Sequence, residues 1–155
     1  TYLGDGNNVA TSLLFGAALL GMDFAIATPR GYGLHPATWA IGERLAALTG
    51  ATIAATHDPV EAVTGADVVY TDTWTSMGQE EETAKRELVF PPYQVNAKLV
   101  AEADKDVIVM HCLPAHRNHE LTDEVADGRH SVIFPQAHNR LHAQKAILAR
   151  LFDVA

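Results

Sequence analysis

The chain has 155 residues, of which 48% are hydrophobic and 19% are charged. This length suits one domain that buries a core, and the apolar content is too high for a disordered protein. Nineteen acidic residues against eleven basic ones give a formal charge of −8 at pH 7, which argues against nucleic acid as a partner because like charges repel.

Three features bear on the compartment of the protein. The most apolar stretch, residues 9–20, is shorter than the ~20 residues that span a bilayer, so we predict no membrane segment. Cys112 is the single cysteine; it can form neither an internal disulfide nor a Cys-x-x-Cys zinc motif, which favours a cytoplasmic location. The first five residues are not a signal sequence and look like a strand already under way, so we expect a longer parent protein.

Short β-rich segments alternate with helical segments along the chain. Strands are predicted, in order, at residues 1–3, 24–28, 52–55, 67–71 and 107–110. Helices are predicted at residues 9–20, 36–49, 58–65, 95–103, near 123 and at 137–152. Helical spacing places four apolar side chains on one face of the first helix, namely Val9, Leu13, Ala17 and Leu20. Residues 72–90 are expected to be mainly a polar loop, and residues 132–134 a brief extended piece.

This alternation predicts the fold class. We expect an α/β protein with three layers, in which a mainly parallel, doubly wound, five-stranded sheet of the Rossmann-like kind carries helices on both faces. Residues 1–155 should form a single domain. Ligands bind such sheets beyond the carboxyl ends of the strands. Three segments of unusual composition follow predicted strands there: residues 4–8, 72–82 and 111–114.

The segment 4–8 is a glycine-containing turn between a strand and a helix. It invites comparison with the Gly-x-Gly-x-x-Gly turn that binds NAD, but Val9 stands where the third glycine is needed. The second strand also ends without the carboxylate that holds a ribose hydroxyl. The NAD-binding domain of an oxidoreductase is therefore the second enzyme hypothesis. Two other interpretations are a plain turn in which Asn7 or Asn8 caps the helix, and a carboxylate site at the helix N-terminus.

The segment 72–79 combines one carboxylate with hydroxyls, a glycine and backbone amides. Its composition alone fits a polar surface loop, and Glu80 to Glu82 beyond it fits a solvated helix start. The same groups also suit a zwitterionic amino acid, with Asp72 facing the ammonium group and Ser76 facing the carboxylate. A non-catalytic amino-acid-binding module would have these features too.

The remaining candidates are a cysteine, two histidines and an arginine. Cys112 ends the fifth predicted strand at the ligand edge, where its thiol could take part in proton handling, although a cysteine on a strand is commonly a small buried hydrophobe. His138 and His142 have zinc-compatible spacing but no apparent third ligand, so no metal site is predicted. Arg140 either projects into the ligand edge or is an ordinary surface charge.

Taken together, residues 4–8, 72–78 and 111–114 resemble ornithine carbamoyltransferase, and Phe-Pro-Gln-Ala-His-Asn-Arg at 134–140 adds a fourth matching segment. The resemblance runs over the whole chain and is to the ornithine-binding half of that family. The Ser-Thr-Arg-Thr-Arg signature of the carbamoyl phosphate-binding half has no match, so the resemblance implies that this amino-terminal domain is absent from the chain. Within the superfamily, the aspartate enzymes have Pro at the position of Cys112 and lack the Ser-Met-Gly loop.

The resemblance assigns roles to seven residues. Four of them would hold the α-amino and carboxylate groups of ornithine: Asn8, Asp72, Ser76 and Met77. Cys112 and Leu113 would lie against the reacting δ-amine and the carbamoyl group, and Arg140 would reach the carbamoyl phosphate. Cys112 and Asp72 are thus the candidate catalytic residues.

The implied reaction is carbamoyl transfer from carbamoyl phosphate to the δ-amine of L-ornithine, giving L-citrulline and phosphate. The alternative is a carbamoyltransferase that acts on another amino acid or amine, such as lysine or putrescine. The chemistry needs no metal or organic cofactor. The resemblance further implies a homotrimer or a multiple of trimers, and a place in arginine biosynthesis or the urea cycle. The isolated chain should be inactive, because it lacks the groups that bind carbamoyl phosphate.

Overall fold

Five parallel strands form one sheet in the computed structural model, which describes residues 1–76, 78 and 80–153. The strands are β1 (Tyr2–Leu3), β2 (Phe24–Ala27), β3 (Ile53–Thr56), β4 (Val68–Thr71) and β5 (Ile108–His111). Their order is β3-β2-β1-β4-β5, and all neighbouring pairs are parallel. The predicted parallel, five-stranded sheet is confirmed. The chain winds outward from β1 to β3 and then returns to the other side of β1, so the winding reverses between β1 and β4.

Seven helices surround this sheet in the described part of the chain. They are α1 (Asn8–Leu20), α2 (Pro36–Thr49), α3 (Pro59–Val63), α4 (Thr83–Val89), α5 (Ala97–Val100), α6 (Asp123–Ala126) and α7 (Ile133–Leu151). Because strand side chains alternate between faces, Tyr2 and Tyr70 join an apolar cluster with α1 and α2. Leu3, Val69 and Val109 join a second cluster with α3, α5 and α6. Helices therefore cover both faces, and the three-layer prediction is confirmed.

Local capping signals explain why the first two helices begin and end where they do. The Asn7 side chain accepts hydrogen bonds from two backbone N–H groups in the first turn of α1, and Gly21 ends that helix with a φ of 71°. Pro36 occupies the first position of α2, and Gly50 ends it with a φ of 81°. The bounds of α2 agree with the prediction.

Three segments differ from the sequence-based expectation. Residues 72–90 contain the unpredicted helix α4, although the 3-10 turn Glu80–Glu82 that leads into it agrees with the helix start expected there. Helix α5 covers only Ala97–Val100 of the predicted 95–103. The expected extended piece at 132–134 was wrong: α7 begins at Ile133, which places Pro135 in the first helical turn, where its missing N–H has no helical partner to lose.

The buried face of α1 also differs from the expected one. The fully buried residues are Ala10, Leu14 and Ala18, whereas Leu20 is 76% exposed. Almost every residue of α1 is apolar or small, so the spacing of apolar side chains alone does not select one face. The neighbouring helix selects it, because Leu14 packs directly against Gly42 of α2.

A search of the described residues for a helix with the length and apolar content to cross a membrane finds none.

The close approach of α1 and α2 gives a test of the packing. A Cβ atom on Gly42 would lie 2.7 Å from Leu14 Cδ2 and 2.9 Å from Leu14 Cγ, whereas a Cβ on Gly16 of α1 would meet no atom within 4 Å. Gly→Ala in a helix gains ~0.5–1 kcal/mol, but overpacking a buried contact costs about 1–3 kcal/mol. We expect Gly16→Ala to raise the melting temperature and Gly42→Ala to lower it. Equal shifts in the two variants would contradict this packing.

Candidate functional site

The carboxylate of Asp72 lies at the centre of the carboxyl edge of the sheet, directly after β4, and is 7% exposed. Asn7, which follows β1, donates from Nδ2 to Asp72 Oδ2 at 2.8 Å. Cys112, which follows β5, donates from Sγ to Asp72 Oδ1 at 3.0 Å, and Thr73 N–H donates to the same oxygen at 2.8 Å. A carboxylate has about four acceptor positions, so the contacts among the described residues occupy three of them and leave one on Oδ2.

Asn7 rather than Asn8 is the residue that caps α1. Its Oδ1 accepts from Val9 N–H at 2.9 Å and from Ala10 N–H at 3.0 Å, which leaves its Nδ2 to face Asp72. The cap therefore fixes which way the amide points. Asn8 is exposed as the first residue of α1.

The thiol of Cys112 is a hydrogen-bond donor. Burial, the hydrogen bond to Asp72 and the negative charge of that carboxylate together raise the pKa of Cys112 to about 12, and burial is the largest of these causes. Burial also raises the pKa of the neighbouring Tyr70 to about 12. At neutral pH the thiol is protonated, so it acts in this site as a donor to Asp72 and not as a thiolate.

The turn after β5 is tied to α7 by one glutamine. Gln136 Oε1 accepts from His111 N–H at 3.1 Å, and its Nε2 donates to the Tyr70 hydroxyl at 2.8 Å. Leu113 has a φ of 57°, in the left-handed region that few side chains favour. Arg140 lies four residues beyond Gln136, one turn further along the same side of α7, and is exposed. The site residues Asp72, Cys112 and Leu113 thus lie together, with Arg140 beyond their edge.

Ser76 is half-buried and lines an open cleft of about 630 Å³. Asn8, Tyr32 and Lys85 line the same cleft, so two of the four residues assigned to an amino acid head group face one space. Met77 lies outside the described residues.

The residue that holds the Ser76 segment is Arg86, and two of its three partners lie far from it in sequence. Arg86 Nη1 donates to Asp5 Oδ2 and to the Trp74 carbonyl, both at 2.7 Å, and Arg86 Nη2 lies 3.0 Å from Glu82 Oε2. The Arg86 side chain is 5% exposed. One guanidinium group therefore joins the end of β1 to both ends of the segment 74–82. Sequence reasoning missed this group because its two main partners lie 81 and 12 residues away.

Comparison with known proteins assigns the chain to a family. Residues 1–151 match the family described as aspartate/ornithine carbamoyltransferase, Asp/Orn binding domain. The chain belongs to this family.

Relatives named ornithine carbamoyltransferase match over nearly all of the chain. The one from Carboxydothermus hydrogenoformans is 58% identical over 150 residues, which is 97% of this chain and 48% of the relative. The solved structure from Pyrococcus furiosus is 53% identical with a TM-score of 0.91, covering 96% of this chain and 47% of that one. For the Campylobacter jejuni anabolic enzyme the identity is 39% and the TM-score 0.94, covering 99% and 51%. The chain spans about half the length of these carbamoyltransferases.

The structure also disfavours the NAD hypothesis. In dinucleotide-binding turns, the second glycine allows the pyrophosphate to approach the backbone. Here Gly6 N–H donates to the Tyr32 carbonyl at 2.7 Å, and a Cβ on Gly6 would lie 2.4 Å from Gly33 C. The chain's own segment 31–34 therefore occupies the space that the glycine opens.

The described residues contain one group of three potential metal ligands: Asp72, His111 and Cys112. Their ligand atoms lie within 4.8 Å of one another. Each group already has a protein partner: the thiol donates to Asp72, and His111 Nδ1 accepts from Leu113 N–H. These contacts make the cluster a hydrogen-bonded unit. A second cavity, of about 490 Å³, lies beside α5 and α6, away from these residues.

The raised pKa of Cys112 can be tested by alkylation of the single cysteine. At pH 8, iodoacetamide should modify the folded chain at least about 100-fold more slowly than the urea-unfolded chain, whose thiol has an ordinary pKa of ~8.5. Asp72→Asn removes the negative charge that disfavours the thiolate, so the rate should rise in this variant. Intact-protein mass spectrometry measures both rates. An inflection of the wild-type rate near pH 8.5 would contradict the assignment.

Proposed function

We propose that this chain is the ornithine-binding domain of an ornithine carbamoyltransferase. The observation that carries the proposal is the buried Asp72 carboxylate, which residues after β1 and β5 hold at the sheet edge and of whose acceptor positions the described residues leave one on Oδ2. An ammonium group fits that position, because a charge-assisted hydrogen bond to a carboxylate contributes about 1.5–3 kcal/mol. The relatives named ornithine carbamoyltransferase support the choice of ornithine as the amino acid.

Four residues hold the amino acid head group in this proposal. Asp72 faces the α-ammonium group, and Ser76 with Asn8 offers donors to the α-carboxylate across the cleft that both residues line. The N-terminus of α1 adds favourable electrostatics for the carboxylate. Met77 stays a prediction from the resemblance.

The δ-amine must be neutral before it can attack. With a lysine-like pKa of ~10.4, deprotonation at pH 7 costs about 4.6 kcal/mol, and exclusion of water lowers this cost because burial disfavours the cation. The amine nitrogen then forms a bond to the carbamoyl carbon, the bond from that carbon to the phosphate oxygen breaks, and phosphate leaves with the electron pair. The nitrogen releases its extra proton to the departing phosphate, an oxygen of which accepts it, as citrulline forms.

Cys112 and Leu113 act beside these reacting atoms. The Cys112 thiol is protonated at neutral pH, so it serves as an uncharged donor that keeps Asp72 oriented and lies against the amine. Leu113 lies against the carbamoyl group, and Arg140 reaches towards the carbamoyl phosphate from α7. Alignment of the amine with the carbonyl carbon supplies much of the acceleration, since orientation can contribute about 7–11 kcal/mol.

A second domain completes the site in this proposal. The relatives are about twice as long as the chain, and the carbamoyl phosphate-binding half is the expected partner. The side of α7 that would contact it is exposed and carries the apolar residues Phe134, Leu141, Leu148 and Leu151, and the exposed Phe152 follows the end of the helix. The trimeric assembly, the cytoplasmic location and the role in arginine biosynthesis or the urea cycle stay predictions.

The proposed function can be tested in a chimera that joins the chain to the amino-terminal half of the Carboxydothermus hydrogenoformans relative. We expect the chimera to form citrulline from ornithine and carbamoyl phosphate. Asp72→Asn keeps the shape and removes the charge, so kcat/KM for ornithine should fall at least about tenfold. The affinity for carbamoyl phosphate, measured without ornithine, should change little.

Asp106→Asn is the matched control, since Asp106 is an exposed carboxylate before β5, at the opposite end of the sheet. Its kinetics should equal those of the unmutated chimera. Equal losses for both substrates in Asp72→Asn would mean that Asp72 supports the whole site, and the assignment to the ammonium group would be wrong.

The exposed apolar side of α7, which would contact the second domain, has its own test. Leu141→Glu places a charge in the exposed apolar stripe and should reduce the melting temperature and activity of the chimera, while leaving the melting temperature of the isolated chain unchanged. Ala146→Glu places the same charge on the opposite side of α7 and should affect neither protein. Differential scanning fluorimetry on both proteins makes the comparison. An equal effect of the two substitutions would contradict the assignment of this side of α7 to the contact with the second domain.

A further inference from the structure

Glu120 is a fully buried carboxylate outside the site described so far. Its side chain is 1% exposed, and the His111 side chain beside it is 0% exposed. Glu120 belongs to the irregular segment between β5 and α6, next to the buried Leu121. A carboxylate is costly to bury and is retained in a core only where specific partners compensate it.

Glu120 contacts both ends of the turn that follows β5. Its Oε1 accepts from His116 N–H at 2.5 Å and lies 3.2 Å from His111 Nε2. The contact with Nε2 is poorly aligned for a hydrogen bond, so it is mainly an attraction between the N–H dipole and the carboxylate. Among the described residues, Glu120 Oε2 has no hydrogen-bond partner, so the polar contacts of this carboxylate are the two that Oε1 makes with the turn.

The orientation of the His111 ring follows from its two nitrogens. Nδ1 accepts from Leu113 N–H at 2.9 Å, so Nδ1 carries no proton and the ring hydrogen is on Nε2, towards Glu120. The His111 ring therefore contacts Glu120 through Nε2 and the Leu113 backbone through Nδ1, and so links the two residues. That backbone has a left-handed φ of 57°, a conformation that persists only where the surroundings impose it.

We propose that Glu120 is a positioning residue for carbamoyl transfer, which acts through the His111 ring to hold Leu113 and Cys112 against the reacting groups. This inference rests on the proposed function, since it concerns the turn that would contact the amine and the carbamoyl group. Glu120 itself touches no substrate. It sets which His111 nitrogen carries the hydrogen and where the ring points, and so determines whether the Leu113 amide has its acceptor.

The first test is the kinetics of Glu120→Gln in the chimera. Glutamine keeps the length and an oxygen that can accept from His116 N–H, but removes the charge that faces His111 Nε2. We expect kcat to fall at least about tenfold with KM for ornithine little changed, because the turn contacts the reacting atoms and not the head group. Glu124→Gln, an exposed carboxylate on α6, is the control and should leave both constants unchanged. A lower melting temperature with unchanged kcat would make Glu120 merely structural.

The second test asks whether Glu120 acts through His111. His111→Asn keeps an acceptor for Leu113 N–H near the position of Nδ1 but is too short to reach Glu120. His111→Gln keeps a donor that reaches Glu120 but loses the Nδ1 acceptor. In the His111→Asn background, Glu120→Gln should have no further effect on kcat. His111→Gln should be less active than His111→Asn. Independent, multiplicative effects of Glu120→Gln and His111→Asn would overturn the proposal.

A third readout does not depend on activity. Hydrogen–deuterium exchange at residue resolution should show faster exchange of the Leu113 amide in Glu120→Gln, with unchanged exchange in β4. Unchanged exchange at Leu113 would overturn the role of Glu120 whatever the kinetics. Absence of citrulline with the unmutated chimera would instead contradict the proposed function, while the exchange result would still decide whether Glu120 holds the turn.

Discussion

The hydrogen bond from Asn7 to Asp72 joins the ends of β1 and β4, the two neighbouring strands between which the winding of the sheet reverses. At such a reversal the loops after the two strands leave in opposite directions and open a crevice, which is where α/β sheets bind ligands. Asn7 reaches Asp72 only because its Oδ1 is committed to capping α1. One side-chain amide therefore links the start of α1 to the Asp72 carboxylate, whose other oxygen accepts from Cys112.

Two buried side-chain contacts, one ion pair and one carboxylate–histidine contact, lie on either side of Asp72 and have a common physical role. Arg86 with Asp5 holds the segment that carries Ser76, and Glu120 with His111 holds the turn that carries Leu113. Such pairs add little net stability, because desolvation of the charges offsets their attraction. Their effect is on conformation, since both act on irregular backbone that no strand or helix would otherwise keep in place.

Helix α7 differs from the other long helices in what it buries. Among its described residues only Ile133 is fully buried, and the apolar side chains further along it are exposed. Its first turn is nevertheless fixed, because Gln136 bonds to both Tyr70 and His111 at the sheet edge. The helix is therefore anchored at the site and free to pack elsewhere along its length. This agrees with a chain that spans about half of each relative.

Some features of this protein follow from the sequence alone. Pro36 and Gly50 define α2, and Asp72 and Cys112 were placed at strand ends, because caps, turns and short apolar runs are determined by neighbouring residues. Contacts between elements that are distant in the sequence are decided only by the tertiary structure. Nearly all side chains of α1 are apolar or small, so its buried face is selected only by the contact of Leu14 with Gly42 of α2. Likewise, Arg86 bonds to Asp5, which lies 81 residues away in the sequence. Such contacts are set by the order of the strands in the sheet, which no local stretch of sequence encodes, so only the assembled fold decides them.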